Sequence, residues 1–483
     1  MVRGCQGARL WLSKTQLKAH AMTASIYGTQ SFRSHQHPPI AHHRHRLDAL
    51  GFFNQLTSDL LFDEVESLLP AHRERLFPPT ETLSLFLSQA ISEDRSCQNA
   101  VNQAAMTRLV GGLPVCSTAT GGYCRARQRL PLEMVRQLTR YTGQLIEGQV
   151  KDEWRWQGRP VKIVDGTSVS LPDTPANQYR YPQITNQKPG LGFPICQMVG
   201  VTCLSSGALL DAALCRIGGK GNDEQTLLRR LLESFKTNDL VLADAFYATY
   251  YLIAELQQRG IDAVFEQHGS RRRSTDFRRG KRLGSKDHLI TLNRPKYPPA
   301  WMSRAQLEAL PPTLTVRELR TDGKILVTTL CGPLTASKNA LKRLYQSRWN
   351  IELDIRHIKS TMGMDVLSCQ TPDMAEKETW IYLLAYNLIR LIMIQSALLC
   401  DIIPRQLSFK HTIQLWLIYH RQVIVSGIDV NLSNEFLILV GQKQVGHRPC
   451  RVEPRTLKRR RKPYSMLNKP RHILKHEIQQ KWN

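Results

Sequence analysis

Hydrophobic and polar positions follow two different periods along the chain, and the period changes near Trp154. Upstream of this point, apolar residues recur at the i, i+3, i+4 and i+7 spacing of an amphipathic helix, first between Leu83 and Ala90 and again between Val101 and Leu109. The pattern therefore predicts a helical segment over residues 47–153.

Downstream of Trp154, short apolar runs typical of β-strands alternate with helical stretches. The runs that predict strands are Val161–Val164, Met198–Cys203, Ala208–Cys215, Leu240–Ala243 and Ala263–Glu266. Helical spacing appears in Glu224–Phe235 and Ala248–Arg259. Strands followed by this αβαβ alternation predict an α/β fold, a mixed sheet covered by helices.

The segment from about Gly269 to Pro333 has a different character. It is very basic at first and then alternates with the period of a strand in Thr313–Leu319 and Ile325–Leu330, which predicts a β-rich insertion. Helical spacing returns over Ser337 to about Thr361 and over Asp373–Leu399.

Charge adds a partner to this picture. The chain has 66 Lys and Arg against 40 Asp and Glu, a formal charge of +26, with 42% hydrophobic residues. Such an excess favours a polyanion, and nucleic acid comes first because neutralised phosphates release counterions. An anionic membrane surface is the second candidate, and a merely soluble basic protein is the third.

A chain of 483 residues is too long for one hydrophobic core and should form several domains. We predict a disordered basic, histidine-rich extension at 1–46 and a helical DNA-binding domain at 47–153. The predicted α/β domain covers 154–400 with its insertion at about 269–333, and a helical and basic C-terminal region covers 401–483.

The DNA-binding prediction for the helical domain depends on an arginine cluster. Arg125, Arg127 and Arg129 follow a Gly-Gly break and lead into a predicted helix, an arrangement suited to reading a DNA groove. An ordinary solvated helix face would look the same.

Neither a disulfide framework, a zinc site nor a membrane span is expected. The eleven cysteines are scattered without a Cys-x-x-Cys pair, as in reduced thiols, and Met1–Lys14 lacks the apolar stretch of a secretory signal. Trp380–Cys400 is apolar enough to suggest a span, but Arg390 lies near its middle and favours a buried helix. We therefore expect a cytoplasmic protein without a membrane partner.

Candidate chemistry begins with two aspartates. Asp165 ends the run Val161–Val164 and Asp244 ends the run Leu240–Ala243. Acids at strand ends can hold metal ions, although an aspartate in this position is more often a turn former or a helix cap.

A stripe of four residues on the helix from Ser337 gives the stronger signal. At about 100° per residue, Tyr345, Arg348, Glu352 and Lys359 project onto one narrow face, whereas His357 does not. A solvent face with charge pairs would explain the stripe equally well. After two strand-end aspartates in a very basic chain, however, one carboxylate beside three phosphate-facing groups is what cutting DNA requires.

The four-residue spacing matches the tyrosine-arginine-glutamate-lysine signature of the IS-four (IS4) insertion-sequence family of DDE transposases. Asp165-Gly166-Thr167 and Asp244-Ala245-Phe246-Tyr247 resemble the first two acidic blocks of that family. The resemblance covers roughly residues 50–400. It implies an RNase-H-like catalytic core interrupted by a β-rich insertion before the last acid.

The resemblance also implies a mechanism. Asp165, Asp244 and Glu352 would coordinate two Mg²⁺ ions, with Mn²⁺ as a substitute, for cleavage at the element's ends and strand transfer into target DNA. Tyr345, Arg348 and Lys359 would bind phosphates near the cleaved end. Trp301, in the insertion, would stack on a flipped base, although packing explains it equally well.

The partners implied are double-stranded DNA, as terminal inverted repeats and target, and a second copy of the chain in a synaptic complex. The expected location is the bacterial cytoplasm, in association with the nucleoid. Two other functions stay open at this point: an RNase-H-like metal-dependent nuclease without strand transfer, and a DNA-binding protein that has lost catalysis. The complete signature favours the transposase, because a hydrolase needs the acids but not the three phosphate-binding residues.

Overall fold

The computed structural model describes residues 77, 79–110, 115–219, 221–272, 274–299, 301–426, 432–445 and 467–482. The predicted extension at 1–46 and the basic tail around Lys458–Lys462 lie outside these residues. The chain forms two compact units, and the first comprises Met1–Leu138, Gln395–Ile402 and Ser408–Lys443. The second comprises Thr139–Ile394, Ile403–Leu407 and Gln444–Asn483.

The helices of the described chain are, in order, α1 (Pro79–Ile91), α2 (Cys97–Val110), α3 (Gly121–Arg129), α4 (Leu132–Gly148), α5 (Pro175–Arg180), α6 (Glu224–Arg230), α7 (Tyr250–Gln258), α8 (Gly269–Arg272), α9 (Arg304–Ala309), α10 (Lys338–Gln346), α11 (Asn350–Arg356), α12 (Pro372–Cys400), α13 (Phe409–Ser426), α14 (Leu432–Gln442) and α15 (Arg471–Trp482). The strands are β1 (Val161–Ser170), β2 (Ile195–Cys203), β3 (Leu209–Arg216), β4 (Leu240–Ala243), β5 (Asp262–Glu266), β6 (Lys281–Gly284), β7 (Asp287–Asn293), β8 (Thr313–Thr321) and β9 (Lys324–Thr328).

The described part of the first unit is helical, as its spacing predicts. Its core includes one residue of the predicted arginine cluster: Arg127 is buried, with its guanidinium carbon 4.7 Å from the ring centre of Phe86 and 5.1 Å from that of Tyr123. The prediction that all three arginines face a DNA groove is therefore wrong for Arg127. Its neighbours Arg125 and Arg129 are exposed.

The second unit contains a sheet of nine strands in the order β3-β2-β1-β4-β5-β9-β8-β7-β6. β1, β2 and β3 form an antiparallel meander, and β4 and β5 continue the sheet parallel to β1. An antiparallel three-strand meander followed by two parallel strands in the order 3-2-1-4-5 defines the RNase-H-like fold. The predicted α/β fold with a mixed sheet is confirmed.

The structure corrects the predicted end of the first strand. β1 continues past Asp165 to Ser170, because its backbone stays paired with β2 after pairing with β4 has ended at Ile163. The apolar run stops where β1 no longer has neighbours on both sides, so hydrophobicity marks the doubly paired part of the strand only.

The insertion extends the same sheet. β9 pairs antiparallel with β5, and β8, β7 and β6 follow as antiparallel neighbours. β6 and β7 had no strand prediction, because β6 has two charged residues among four and the apolar residues of β7, Leu289, Ile290 and Leu292, do not alternate regularly. Within this insertion, the buried Arg317 on β8 binds Asp287 on β7 through two hydrogen bonds of 2.8 and 2.6 Å.

The long helix α12 is a core helix of the protein. It is the one helix of the described chain that is long and apolar enough to span a membrane. Of its most apolar stretch of 18 residues, 78% is buried inside the protein. Polar side chains on it have partners within the second unit. Asn387 binds both backbone groups of Leu209, and Arg390 donates to Asp354 at 2.6 Å. The prediction of a buried helix is confirmed.

Candidate active site

The two predicted aspartates lie side by side on neighbouring parallel strands. Ile163 on β1 pairs with Leu242 on β4. Two residues further along each strand are Asp165 and Asp244, so the same register aligns them at the carboxyl end of β4.

A third acid continues this row. Ala243 on β4 pairs with Phe265 on β5, which aligns the following residues, Asp244 and Glu266. In each strand the acid follows the alternate apolar positions of the buried sheet face, and these positions belong to one hydrophobic core. The apolar face therefore ends in an acid on each of three adjacent strands.

The signature helix covers this face. Leu341 and Leu344 of α10 and Ile351 of α11 belong to the same core as the strand residues. α10 begins at the cap residue Ser337, whose hydroxyl accepts the amide hydrogen of Ala340. Because these apolar side chains fix the helix on the sheet, the polar residues between them are held at the carboxyl edge.

Arg348 joins the first acid to the last. Its guanidinium donates to Asp165 at 3.4 Å and to Glu352, one helical turn further on, at 3.1 Å. The side chains of Arg348 and Asp165 are 15% and 18% exposed, whereas that of Glu352 is 37% exposed. Solvent therefore reaches these three side chains mainly from the side of Glu352.

Lys359 and Tyr345 reach the sheet on either side of Arg348. Lys359 lies in a π-helical turn, His357–Thr361, and its ammonium donates to the Ser168 carbonyl oxygen at 2.7 Å, three residues beyond Asp165 on β1. The buried Tyr345 donates its hydroxyl to Glu266 at 3.4 Å. Three of the four signature residues thus contact the sheet from β5 to β1, and Glu352 is connected to it through Arg348.

His357 is separate from this arrangement, as the helix projection predicts. Its imidazole lies 3.3 Å from the Arg390 guanidinium, and burial together with the charge of Arg390 lowers its pKa to about 3. It stays neutral at physiological pH.

The electrostatics of Asp165 are those of a buried acid among other acids. Burial raises the pKa of its carboxyl from 3.8 to about 6, and the negative charges of Asp244 and Glu224 act in the same direction. The Gly166 amide, which donates to it at 2.8 Å, and the Arg348 guanidinium act in the opposite direction.

Glu224 is a carboxylate that the sequence analysis missed. It is the first residue of α6, and its two oxygens accept hydrogen bonds from Gln197 on β2 and from Tyr247, each at 3.2 Å. The same carboxylate lies against Gly166, leaving no space for a side chain there. Glu224 therefore ties the loop after Asp244 to the strand that carries Asp165.

Its neighbour Gln225 strengthens this connection. The Gln225 amide donates to the carbonyl oxygen of Phe246 at 2.6 Å, and its oxygen accepts from the Thr249 hydroxyl at 3.0 Å. Both partners belong to the loop that follows Asp244. The only sequence signal for these contacts of Glu224 and Gln225 was a glutamate at the first position of a predicted helix, after a glycine-rich loop.

Trp301 lies against other partners. The guanidinium carbon of Arg229 is 3.2 Å from the centre of its ring, and Tyr251 meets it edge-on with ring centres 5.9 Å apart. One face of the indole is thus covered by an arginine that itself binds Glu255 at 2.8 Å.

Hard carboxylate oxygens are the preferred ligands of magnesium and manganese, so the donor set of Asp165, Asp244 and Glu352 fits a divalent cation. In the conformation seen, no three His, Cys, Asp or Glu side chains of the described residues are close enough to share one metal ion. The Arg348 guanidinium between Asp165 and Glu352 shows that this pair accommodates a positive charge.

Comparison with known proteins gives this site a class. The family model described as "Transposase DDE domain" matches residues 156–388. The chain is 30% identical over 349 residues to "Transposase InsG for insertion sequence element IS4" of Escherichia coli (strain K12), covering 70% of this chain and 75% of that protein. It is also similar to a solved piggyBac transposase synaptic complex with hairpin DNA, with a TM-score of 0.44 and 10% identity, over 82% of this chain and 85% of that one.

The protein is a DDE transposase, an enzyme of DNA cleavage and strand transfer. More narrowly, the chain belongs to the IS4 family of DDE transposases, as its signature predicted. Enzymes of this class bind DNA and depend on divalent metal ions.

Proposed function

We propose that Asp165, Asp244 and Glu352 are the metal-binding acids of this transposase and that the ions are two Mg²⁺, replaceable by Mn²⁺. The observation that carries the proposal is the register that aligns Asp165 with Asp244, together with the single guanidinium connecting Asp165 to Glu352. Bound Mg²⁺ would supply the Lewis acidity that activates the attacking oxygen and stabilises the leaving oxygen of a phosphodiester.

Three other side chains, those of Arg348, Lys359 and Tyr345, would orient the DNA by binding its phosphates. Arg348 donates from its two terminal nitrogens to one oxygen of Asp165 and one of Glu352, and the two non-bridging oxygens of a phosphodiester can accept from the same pair of nitrogens. Arg348 would therefore exchange a carboxylate partner for the phosphate beside the cut. Lys359, next to Ser168, would bind a phosphate on the β1 side of the site, and Tyr345 one on the β5 side.

Base stacking on Trp301 is a separate proposal that requires a rearrangement. Because Arg229 covers one face of the indole, a base could stack there only after the guanidinium had moved away. Removal of Arg229 would then favour stacking, whereas a packing role for Trp301 would make the same change destabilising.

The partners follow from the reaction. Cleavage at both ends of an element and joining to a target requires two terminal inverted repeats in one complex, so we propose a homodimer on DNA. The C-terminal region after Asp401 would mediate pairing, with the protein in the cytoplasm and associated with the nucleoid.

The testing experiment is cleavage and joining of a labelled duplex carrying the element's own terminal repeat, with Mg²⁺ or Mn²⁺. The wild type should give nicked and joined products, and Glu352→Gln should abolish both while DNA binding is retained. Glu233→Gln, an exposed glutamate in the same unit, is the matched control. Nicking without joining would favour a nuclease, and full activity of Glu352→Gln would exclude the three-acid site.

A further inference from the structure

A second basic site lies at the same edge of the sheet, outside the signature. A cavity of about 450 Å³ opens between the end of α5, the end of β3, the end of α6 and α12. Its polar lining consists of Tyr179, Arg180, Tyr181, Arg216, Asn222, Arg230 and Glu376. Three arginines against one glutamate leave the cavity with an excess of positive charge.

Two of these arginines have no carboxylate partner among the described residues. Arg216 and Arg230 are exposed, and neither forms an ion pair with any residue that the structure describes. Guanidinium groups from separate elements that converge on one cavity, with a single glutamate in its lining, favour the binding of an anion there. Tyr179 beside them is 89% exposed, and an aromatic ring among arginines is typical of surfaces that follow a nucleic-acid strand.

The sheet register measures how far this cavity lies from the acids. Val169 on β1 pairs with Cys196 on β2, and Cys196 pairs with Arg216 on β3, so Arg216 is two strands from Val169, about 10 Å away. Asp165 is four residues earlier on β1, about 13 Å along the strand. The diagonal is about 16 Å, which a DNA strand covers in about two to three nucleotides, because neighbouring phosphates on one strand are roughly 7 Å apart.

Lys359 lies between the acids and the cavity. Its ammonium contacts Ser168, between Asp165 and the row that ends in Arg216. Helix α6 spans the same interval, because Glu224 at its start lies against Gly166 and Arg230 at its end lines the cavity. Lys359 thus supplies a positive group between the acids and the cavity, on the far side of Glu224 along β1.

We propose that this cavity, which we call the arginine pocket, binds a backbone phosphate of the DNA about two to three nucleotides from the phosphate that is cut. Arg216 and Arg230 donate to its oxygens, and Tyr179 and Arg180 border the neighbouring nucleotide. The proposal rests on the transposase function and adds a second point of attachment to it. Such a contact fixes the direction in which the strand leaves the acids.

The test uses the full chain and duplexes carrying the element's terminal repeat, each with one neutral methylphosphonate at a stated distance from the cut. Wild-type affinity should fall about tenfold when the neutral linkage is about two to three nucleotides away, because a charge-assisted hydrogen bond is lost. The double variant Arg216→Ala, Arg230→Ala should bind the unmodified duplex about tenfold more weakly. It should no longer respond to that linkage.

Two further variants separate charge from folding. Arg216→Lys with Arg230→Lys should recover part of the affinity, and the salt dependence of binding by the alanine variant should lose about 0.9 in slope per lost phosphate contact. Arg259→Ala removes an exposed arginine just before β5, at the opposite edge of the sheet, and should bind like the wild type.

The pocket would be excluded if the alanine variant kept wild-type affinity, salt slope and methylphosphonate response. It would also be excluded if the wild type showed no sensitive linkage at that distance. Cleavage by the wild type in the same reactions reports the proposed function independently. Loss of cleavage with an intact methylphosphonate response would exclude the function and keep the pocket.

Discussion

The Cα of Gly166 rests against the carboxylate of Glu224, so that a methyl group at position 166 would overlap its oxygens. Gly166→Ala should therefore displace Glu224 and release Tyr247, which follows Asp244 by three residues. We expect cleavage to fall about 10- to 100-fold, as for loss of an outer-shell partner of a metal ligand. Single-turnover cleavage of an end duplex measures the change.

Glu224→Ala should have an effect of the same size, and the double variant with Gly166→Ala should be no worse than either single one. Glu224→Gln, which keeps the size and one acceptor, should recover part of the activity. It should raise the metal concentration needed for half-maximal rate, because a negative charge close to Asp165 is lost. Additive losses in the double variant would contradict a shared mechanism.

Metal binding should depend on pH through Asp165. Burial holds the pKa of this carboxyl at about 6, so the ligand is protonated below that pH and a metal ion must displace the proton. Mn²⁺ affinity should fall by about tenfold per pH unit below about 6 and level off above it. Electron paramagnetic resonance titration of free Mn²⁺ measures this, and constant affinity between pH 5 and 7 would exclude Asp165 as the titrating ligand.

Stability without metal should depend on pH in the opposite direction. The folded-state pKa of Asp165 is raised, so the folded chain binds the proton more tightly and loses stability as pH rises from about 4 to about 6. Asp165→Asn removes this cost, which is at most roughly 3 kcal/mol above pH 6. In EDTA, the variant should exceed the wild type in melting temperature at pH 8 and by less at pH 5. An equal difference at both values would contradict the prediction.

Arg348 should oppose metal binding in the free enzyme and support DNA binding in the complex. Arg348→Ala removes the cation between Asp165 and Glu352, so Mn²⁺ affinity without DNA should rise while affinity for the end duplex falls. Arg348→Lys keeps the charge but cannot bridge both acids with one planar group, and should be intermediate. Weaker Mn²⁺ binding by the alanine variant in the absence of DNA would overturn this prediction.

Asn387 should contribute to stability alone. Its side chain binds both backbone groups of Leu209 and the Thr139 carbonyl oxygen, all buried, so Asn387→Leu leaves backbone groups unpaired at a cost of about 2–5 kcal/mol. Denaturant unfolding measures it, with the volume-conserving Leu388→Met as control. A change below about 0.5 kcal/mol in Asn387→Leu would contradict the assignment.

The fold was predictable where one physical pattern dominates. β4 and β5 are buried on both sides and read as uninterrupted apolar runs, and their predicted bounds, Leu240–Ala243 and Ala263–Glu266, agree with the strands to within one residue. β6 has exposed and half-buried residues and no apolar period, so only its pairing with β7 defines it.

The sequence pattern selected candidate site residues, but it did not predict the contacts between them. The signature spacing selects Arg348, Glu352 and Lys359, yet a constant helical period assumes one regular helix over Ser337 to Thr361. The structure divides this stretch into α10, a 3₁₀ turn, α11 and a π turn. Glu266 was missed because its alignment with Asp244 depends on the pairing of β4 with β5, and Glu224 because its position depends on how α6 packs against Gly166 and binds Gln197 and Tyr247.

The insertion is joined to the catalytic strands by a hydrogen-bonded ladder rather than by a hinge, since β9 pairs directly with β5. Val264 and Glu266 on β5 pair with Thr328 and Leu326, so any tilt of the insertion must bend the strand that carries Glu266. A molecule bound to β6, β7 or β8 that shifts these strands would therefore also twist β5 and change the position of Glu266 relative to Asp244. In this chain, a force on the insertion and the alignment of the acids are therefore coupled through the pairing of β9 with β5.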